Sequence, residues 1–356
     1  MKVLMLARPN LLTDPGGDTI QVLHTAEALR QRGLIIDINP SRPEYKKYDL
    51  LHFFNVIDPE DILGHLQKTT KPYVVSTIYV DYQEYDRYHR RDIVGIANRV
   101  LSYHGVEYLK TVGKWLLKGE RLSSYSYLWQ GHRRSVVKIL KGASCLLPNS
   151  ENEYRRLVND FGMEQEYVVV PNGVSIEKFK TVPEQDRANI LCVSRIEGRK
   201  NQYNLIKALK GTGLMLKLIG NPAKNQQNYY RRCRAIADDQ VEFLGFVPHE
   251  TLWQHYAEAQ VHVLPSWFET TGLSSLEAAL MGCKVVVGDR GDVRDYFQND
   301  AWYCQPGDPT SIRNAILEAY HAPYCSELAN RIISQYNWQN ASNLTFFAYQ
   351  KALTCA

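Results

Sequence analysis

Two carboxylates and a group of small residues mark the segment whose residue types could do chemistry. Glu269 and Glu277 lie eight positions apart in VHVLPSWFETTGLSSLEAALMGCKVVVGD. The pattern predicts a strand, a turn holding Glu269, and a helix that starts near Thr271–Gly272. Free backbone N–H groups at such a start, here those of Gly272, Leu273 and Ser274, bind anions. The segment therefore suits a nucleotide-sugar, or else it is a plain strand–helix unit with a capping Thr and a surface Glu.

Short apolar runs alternate with helical patterns along most of the chain, and this predicts the elements that position the segment. In the first half the expected strands are Val3–Ala7, Leu34–Ile38, Leu50–Phe54, Tyr73–Ile78, Cys145–Pro148 and Tyr167–Val170; in the second half they are Ile190–Val193, Leu214–Ile219, Val241–Leu244, Val261–Leu264 and Lys284–Val287. Strand–helix alternation favours parallel sheets covered on both faces, with ligands beyond the carboxyl ends of the strands. The polar run Lys180–Ala188 predicts a linker between two such domains.

Residues 81–141 interrupt this rhythm and predict a helical insertion. Between Lys110 and Lys141 there are eight Lys and Arg residues and one Glu, a local balance of +7, with aromatic residues interleaved. Basic, aromatic, amphipathic stretches lie on anionic bilayers. We expect Lys114, Trp115, Lys118, Arg133 and Arg134 to face a membrane. The alternative is an ordinary insertion whose cations face water and whose rings face the core.

Composition excludes several classes of protein. The chain has 356 residues, 44% of them hydrophobic, and a net charge of +4, which argues against a nucleic-acid binder and against disorder. Seven scattered cysteines form no zinc or redox motif and predict reduced thiols in a cytoplasmic protein. No stretch is apolar for long enough to span a membrane. The chain has 23 tyrosines against 10 phenylalanines, and some of the tyrosines cluster in the insertion.

Further motifs resemble those of the family-4 retaining glycosyltransferases, which have the GT-B fold. Besides the E-x7-E segment, the matching stretches are Gly16-Gly17 with Arg32-Gly33, Pro171-Asn172-Gly173-Val174, Ser194-Arg195 with Arg199-Lys200, Phe243–Val247, and Pro306–Pro309. The resemblance implies an α/β chain of two Rossmann-like, doubly wound parallel-sheet domains facing a cleft. The domains would be residues 1–179, with the insertion at about 81–141, and residues 180–337. A helix at 338–356 would cross back to the first domain.

The resemblance also implies roles for single residues. Glu269 would contact the donor sugar, and Glu277 would hold the ribose hydroxyls. Arg195 and Lys200 would neutralise the diphosphate and stabilise the leaving nucleotide without a metal. The expected donor site is completed by Gly16, Gly17, Phe246, Val247, Thr271, Gly272, Leu273 and Ser274.

One position departs from the family pattern. Many members carry a His after the fourth strand of the first domain, where this chain has Ser76-Thr77-Ile78-Tyr79-Val80-Asp81. Asp81, Tyr79 or His104 could replace it, with Asp81 favoured as a catalytic residue. Tyr82 joins these three as an expected acceptor contact. His52 is expected to be a core side chain.

The resemblance implies a retaining, metal-independent glycosyltransferase that needs no cofactor. Its donor would be a UDP- or GDP-linked sugar. Its acceptor would be a glycan, with a lipid-linked surface-polysaccharide precursor favoured, at the inner face of the cytoplasmic membrane. Two alternatives remain open: a nucleotide-sugar epimerase of the same architecture, and a scaffold that binds nucleotide-sugar without turnover.

Overall fold

The computed structural model describes residues 1–14, 16–90, 93–118, 123–178 and 187–354. The chain divides into two compact units. The first consists of Met1–Asn172 and Trp338–Ala356, and the second is Gly173–Asn337. The predicted boundary after residue 179 and most of the predicted linker, residues 180–186, lie outside the described residues.

A five-stranded parallel sheet forms the centre of the first unit. Its strands are β1 (Lys2–Leu6), β2 (Ile35–Ile38), β3 (Leu50–Phe54), β4 (Tyr73–Ser76) and β5 (Cys145–Leu147), in the order β2-β1-β3-β4-β5. All five residues of β3 are buried, as expected for a strand covered on both faces. The predicted strand Tyr167–Val170 is not a strand here. It runs beside β5, with an isolated bridge at Tyr167 and the amides of Val168 and Val170 donating to the carbonyls of Leu146 and Pro148, but no continuous ladder forms.

Helices cover both faces of this sheet. They are α1 (Gly17–Gln31), α2 (Pro59–Leu66), α5 (Ser126–Gly142), α6 (Glu151–Phe161) and, from the end of the chain, α14 (Trp338–Thr354). Between α2 and α5 in the chain, α3 (Ile93–Val100) packs against α4 (Tyr103–Lys118), and α4 packs against α5. Helix α6 shows how local sequence sets helix ends. The Ser150 hydroxyl accepts a hydrogen bond from the Glu153 amide, and Gly162 closes the helix in the left-handed region. The insertion between β4 and β5 is helical, as predicted.

The second unit is built on a six-stranded parallel sheet. Its strands are β6 (Asn189–Val193), β7 (Leu216–Ile219), β8 (Val241–Gly245), β9 (Ala259–Leu264), β10 (Lys284–Gly288) and β11 (Trp302–Cys304), in the order β11-β10-β9-β6-β7-β8. The short edge strand β11 was not predicted. The helices are α7 (Gln202–Leu209), α8 (Gln227–Ile236), α9 (Leu252–Glu258), α10 (Leu273–Leu280), α11 (Val293–Phe297), α12 (Pro309–His321) and α13 (Glu327–Gln335).

Candidate donor site

Lys200 and Glu269 form an ion pair beyond the carboxyl ends of two neighbouring strands. Glu269 lies in the turn between β9 and α10, and Lys200 ends a short turn of 3-10 helix after β6. The Lys200 Nζ lies 2.5 Å from Glu269 Oε1, and both side chains are largely buried. Asn201 fixes this turn, because its side-chain amide donates to the carbonyls of Pro265 and Pro306. The structure thus brings together two of the predicted site residues.

The N-cap of α10, Gly272, lies three residues after Glu269 in the chain. Gly272 caps the helix with a φ of +75°, a conformation that favours glycine. Within the described part of the chain, the amides of Gly272, Leu273 and Ser274 find no hydrogen-bond acceptor. Free amides at a helix start can bind an anion, and an anion site here stays a prediction. Thr271 itself is buried, with its hydroxyl 3.4 Å from that of Tyr296, so its side chain belongs to the core.

Two glycines allow the backbone to close around Glu269 and Arg195. A Cβ on Gly291 would lie 2.2 Å from the Glu269 carbonyl oxygen, which accepts a hydrogen bond from the Asp292 amide. A Cβ on Gly220 would lie 2.0 Å from the Ser194 carbonyl oxygen. Sequence reasoning missed both positions, since a close approach between loops leaves no spacing signal.

Glu277 is held by two side chains that the sequence did not single out. His249 Nε2 lies 2.8 Å from Glu277 Oε1, and the Tyr256 hydroxyl donates to Oε2 at 3.0 Å. Burial, reinforced by the Glu277 charge, raises the pKa of Tyr256 well above its ordinary value. A carboxylate offers about four lone-pair sites, so Glu277 can still accept further hydrogen bonds.

The remaining predicted donor residues of the second unit lie at the same edge of the sheet. The Arg195 guanidinium is half-exposed and reaches Glu197 only at 3.7 Å. Phe246 directly follows β8 and is 71% exposed, whereas its neighbour Val247 packs against the core. The ring of Phe246 is therefore accessible to a ligand at this edge.

Gly16 and Gly17 begin α1 in the first unit. Gly16 is the N-cap, and Arg8 pairs with Asp18 in the first turn at 2.5 Å. A Cβ on Gly17 would meet no atom within 4 Å. Packing therefore does not require glycine at position 17.

The predicted acceptor contacts lie in the first unit, where the rings of Tyr79 and His104 both contact Phe161, with centroid distances of 5.4 and 5.5 Å. Tyr79 is 3% exposed and donates to Asp160 Oδ2 at 2.7 Å, so this ring is part of the core. Asp81 accepts from the Gln83 amide in a local turn, and Tyr82 is half-buried. His104 stacks on His132, with ring centroids 5.6 Å apart. Burial and the charge of Arg133 lower the pKa of His104.

The predicted membrane-facing residues differ in their surroundings. The side chains of Lys114 and Lys118 lie outside the described residues. Arg133 donates to the carbonyls of Asp160 and Phe161, where it caps α6, and Arg134 is exposed. Trp115 is half-buried, while the exposed apolar side chains of these helices are Leu109, Leu116, Tyr125 and Trp129. Among the described helices, none combines the length and apolar character needed to cross a bilayer.

His52 is a buried residue, as expected. Its Nδ1 lies 2.7 Å from the Tyr349 hydroxyl, and its Nε2 lies 2.8 Å from the Ser76 hydroxyl. Burial lowers the pKa of His52 to about 3, so the ring is neutral. The three side chains join α14 to the central strands of the first unit.

The second unit is similar to a family of known proteins. Residues 174–337 match the family described as Glycosyl transferases group 1. The matched range covers the second unit almost from end to end, and it includes both the ion pair and the start of α10.

Three curated relatives carry names that describe sugar transfer. One is a phosphatidylinositol N-acetylglucosaminyltransferase component from Arabidopsis thaliana, 26% identical over 53% of this chain and 44% of its own length. D-inositol 3-phosphate glycosyltransferase of Pseudarthrobacter chlorophenolicus is 25% identical over 77% of this chain and 74% of its own. O-antigen chain mannosyltransferase B of Escherichia coli is 29% identical over 33% and 32%. The chain thus spans less than half of the first and the third relative.

Solved structures share the fold over essentially the whole chain. Sucrose-phosphate synthase from Thermosynechococcus elongatus superposes with a TM-score of 0.75 at 17% identity and covers 100% of both chains. HepE from Anabaena, in complex with UDP and glucose, superposes with a TM-score of 0.62 at 18% identity over 99% of this chain and 96% of its own. The two-sheet α/β architecture of this chain is therefore the GT-B fold.

Proposed function

We propose that the whole chain transfers a sugar, with retention of configuration, from a nucleotide-sugar bound by the second unit to a glycan acceptor bound by the first. The observation that carries this proposal is the Lys200–Glu269 ion pair beside the backbone amides of Gly272–Ser274 at the start of α10. This grouping offers cations and N–H donors to a diphosphate and a carboxylate to the sugar.

The donor diphosphate is proposed to lie against the α10 amides, Lys200 and Arg195. Charge develops on the diphosphate as the glycosidic bond breaks, and fixed cations and dipoles stabilise it there. Arg195 is suited to this role because its guanidinium is half-exposed and holds Glu197 only loosely. We propose that these groups stabilise the departing diphosphate without a metal.

The nucleoside is proposed to bind at Glu277 and Phe246. Glu277 has two acceptor positions left after its contacts with His249 and Tyr256, which suits the two adjacent hydroxyls of a ribose. The exposed Phe246 ring and the backbone of Val247 would flank the base. HepE, which shares the fold, is known with UDP, and this favours UDP over GDP as the nucleotide to test first.

The acceptor is proposed to be a lipid-linked precursor of a surface polysaccharide. The names of two relatives, one referring to phosphatidylinositol and one to an O-antigen chain, support a lipid-bound or polysaccharide acceptor. Trp129 is 85% exposed on α5, and Leu116, Tyr125 and Leu109 are exposed nearby in the chain. Exposed aromatic and aliphatic side chains among cations suit an anionic bilayer surface at the cytoplasmic side. Asp81 and His104 remain the proposed acceptor contacts.

The proposed function is tested by incubating the protein with UDP- and GDP-sugars and a panel of lipid-linked glycans in the presence of EDTA. We expect release of the nucleotide together with a glycosylated product whose anomeric configuration, determined by NMR, is that of the donor. Glu269→Gln should lose the activity, whereas Glu258→Gln, in the Lys217 ion pair of the same unit, should retain it. Epimerised nucleotide-sugar without transfer, or nucleotide-sugar bound without turnover, would overturn the proposal.

A further inference from the structure

The second unit contains a cavity at the edge of its sheet opposite to the donor site. The cavity has a volume of about 340 Å³ and is lined by residues at the amino ends of β10 and β11 and by α13. Glu269 and Lys200, in contrast, follow the carboxyl ends of β9 and β6. A volume of this size lies at the lower end of the range of ligand sites. Nothing in the donor chemistry uses this cavity.

The cavity is lined by one buried cation that has no acidic partner among the described residues. Lys284 is 7% exposed, and its Nζ donates to the carbonyls of Tyr320 and Ala322 at 2.8 and 2.7 Å. An ammonium has three N–H donors, so one remains after these two contacts. Asp300, the acid that lines the cavity, is paired with Arg331 at 2.5 Å rather than with Lys284.

The charge of Lys284 is energetically unfavourable in its buried position. Burial lowers the pKa of Lys284, which means that its surroundings disfavour the ammonium form. The two carbonyls belong to the last turn of α12 and to the residue after it, and their dipoles offset part of this cost. They carry no full negative charge, so an anion in the cavity would still find an unneutralised cation.

The other walls of the cavity are largely apolar. Trp302, Leu328 and Val285 contribute rings and aliphatic groups, and the half-exposed Tyr324 lies at the margin. An apolar body would displace water from these walls and gain free energy in proportion to the area covered. The cavity therefore combines an apolar lining with one cation, the pattern of a site for an amphipathic anion.

We propose that this cavity binds a small organic anion whose acidic group pairs with Lys284 and whose apolar body packs between Trp302 and Leu328. Carboxylates and sulfonates share the required chemistry. The site is separate from the donor site and does not depend on the function proposed above.

Cys325 provides a readout at the site itself. It lines the cavity and is exposed, whereas the other described cysteines are buried. Cys355 lies outside the described residues, so the experiment uses the full chain with Cys355→Ser. The probe is 8-anilinonaphthalene-1-sulfonate, an apolar aromatic anion, and the signal is the rate at which a thiol reagent modifies Cys325.

We expect the probe, at about ten times its dissociation constant, to slow the labelling of Cys325 roughly tenfold. Lys284→Met should abolish this protection, and the uncharged N-phenyl-1-naphthylamine should protect far less than the sulfonate. UDP should not restore labelling, because it binds elsewhere. Equal protection by both probes, unchanged protection in Lys284→Met, or reversal by UDP would overturn the proposal.

A second variant covers the case in which Lys284→Met fails to fold. Ala329→Trp places an indole on α13, where position 329 lines the cavity, and keeps Lys284 in place. We expect it to remove protection of Cys325 by the sulfonate. Retained protection in this variant would show that the probe binds outside the cavity and would contradict the proposal.

Discussion

Lys200 has a carboxylate partner in a largely buried position and lies next to the amides that begin α10. An ion pair of this kind is a weak source of stability, since desolvation offsets the attraction between the charges. The carboxylate partner of Lys200 lies three residues before a helix start with free backbone amides, which favours the proposed role in donor binding. Substitutions of single residues therefore test the assignment of this site most sharply.

Lys200→Met should reduce kcat by about 10²–10³, the loss seen when one preorganised electrostatic contact to a transition state is removed. Lys217→Met is the matched control, because Lys217 also forms an ion pair in the second unit, with Glu258 at 3.0 Å. Steady-state kinetics with the identified donor measure both. A similar loss in the two variants would show that the effect is one of stability.

Gly291→Ala should reduce the free energy of donor binding by at least as much as it reduces the free energy of unfolding of the second unit. The new Cβ would lie 2.2 Å from the Glu269 carbonyl oxygen, so the turn that carries Glu269 must shift. Gly213→Ala is the control, since Gly213 has a comparable φ of +74° but no atom within 4 Å of a Cβ. Calorimetric titration with the donor compares them, and equal affinity in both variants would contradict the expectation.

At the scale of elements, the sequence predicted the strands best where they are buried on both faces. The run LLHFF of β3 is continuous and apolar apart from His52, and its bounds were predicted correctly. Strand β11 was missed because it has three residues at the sheet edge, two of them only half-buried, so it shows no long apolar run. Residues 167–170 have strand composition, but beside β5 they form one isolated bridge and no continuous ladder.

Only the parts of the site that carry a sequence motif were predicted. The Glu269–Glu277 spacing identified the strand, turn and helix start. The contacts of Glu277 with His249 and Tyr256 are set by tertiary packing between separate segments, which no local spacing encodes. The membrane-facing role of Arg133 stays a prediction; the side chain is exposed, and its hydrogen bonds to the Asp160 and Phe161 carbonyls had no sequence signal.

Helix α5 carries the element-scale test of the membrane proposal. Trp129→Ala should lower partitioning onto anionic liposomes roughly tenfold, because burying a large apolar side chain contributes about 1.5–3 kcal/mol. Trp253→Ala is the control, as Trp253 is a partly exposed Trp on α9 of the second unit. Sedimentation with phosphatidylglycerol vesicles measures both variants. Equal partitioning of Trp129→Ala and the unaltered protein would remove the membrane proposal.

At the scale of the whole molecule, each unit contains buried neutral histidines that make stability depend on pH. Burial lowers the pKa of His52 to about 3 and that of His132 to about 4 in the first unit, and that of His262 to about 3 in the second. The unfolded chain protonates histidine near pH 6.5. As the pH falls below this value, the unfolded state therefore binds more protons than the folded state, and stability declines.

Each such histidine contributes a slope of up to about 1.4 kcal/mol per pH unit between its two pKa values. We expect the free energy of unfolding to fall between about pH 7.5 and about pH 5.0, and to fall more steeply for the first unit than for the second. Denaturant unfolding with probes in each unit measures this. Free energies that do not change over this range would contradict the assignment of neutral buried rings.

The central claim is that the second unit holds the nucleotide-sugar at Glu269, Glu277 and the start of α10. Thermal and denaturant unfolding with UDP- and GDP-sugars tests it most directly. At about 100 times the dissociation constant, the correct donor should stabilise the second unit by about 2.7 kcal/mol. Glu277→Ala should show no such stabilisation by the donor when it is compared with the same variant without donor. A full gain in Glu277→Ala, or no gain with any nucleotide-sugar, would contradict the account.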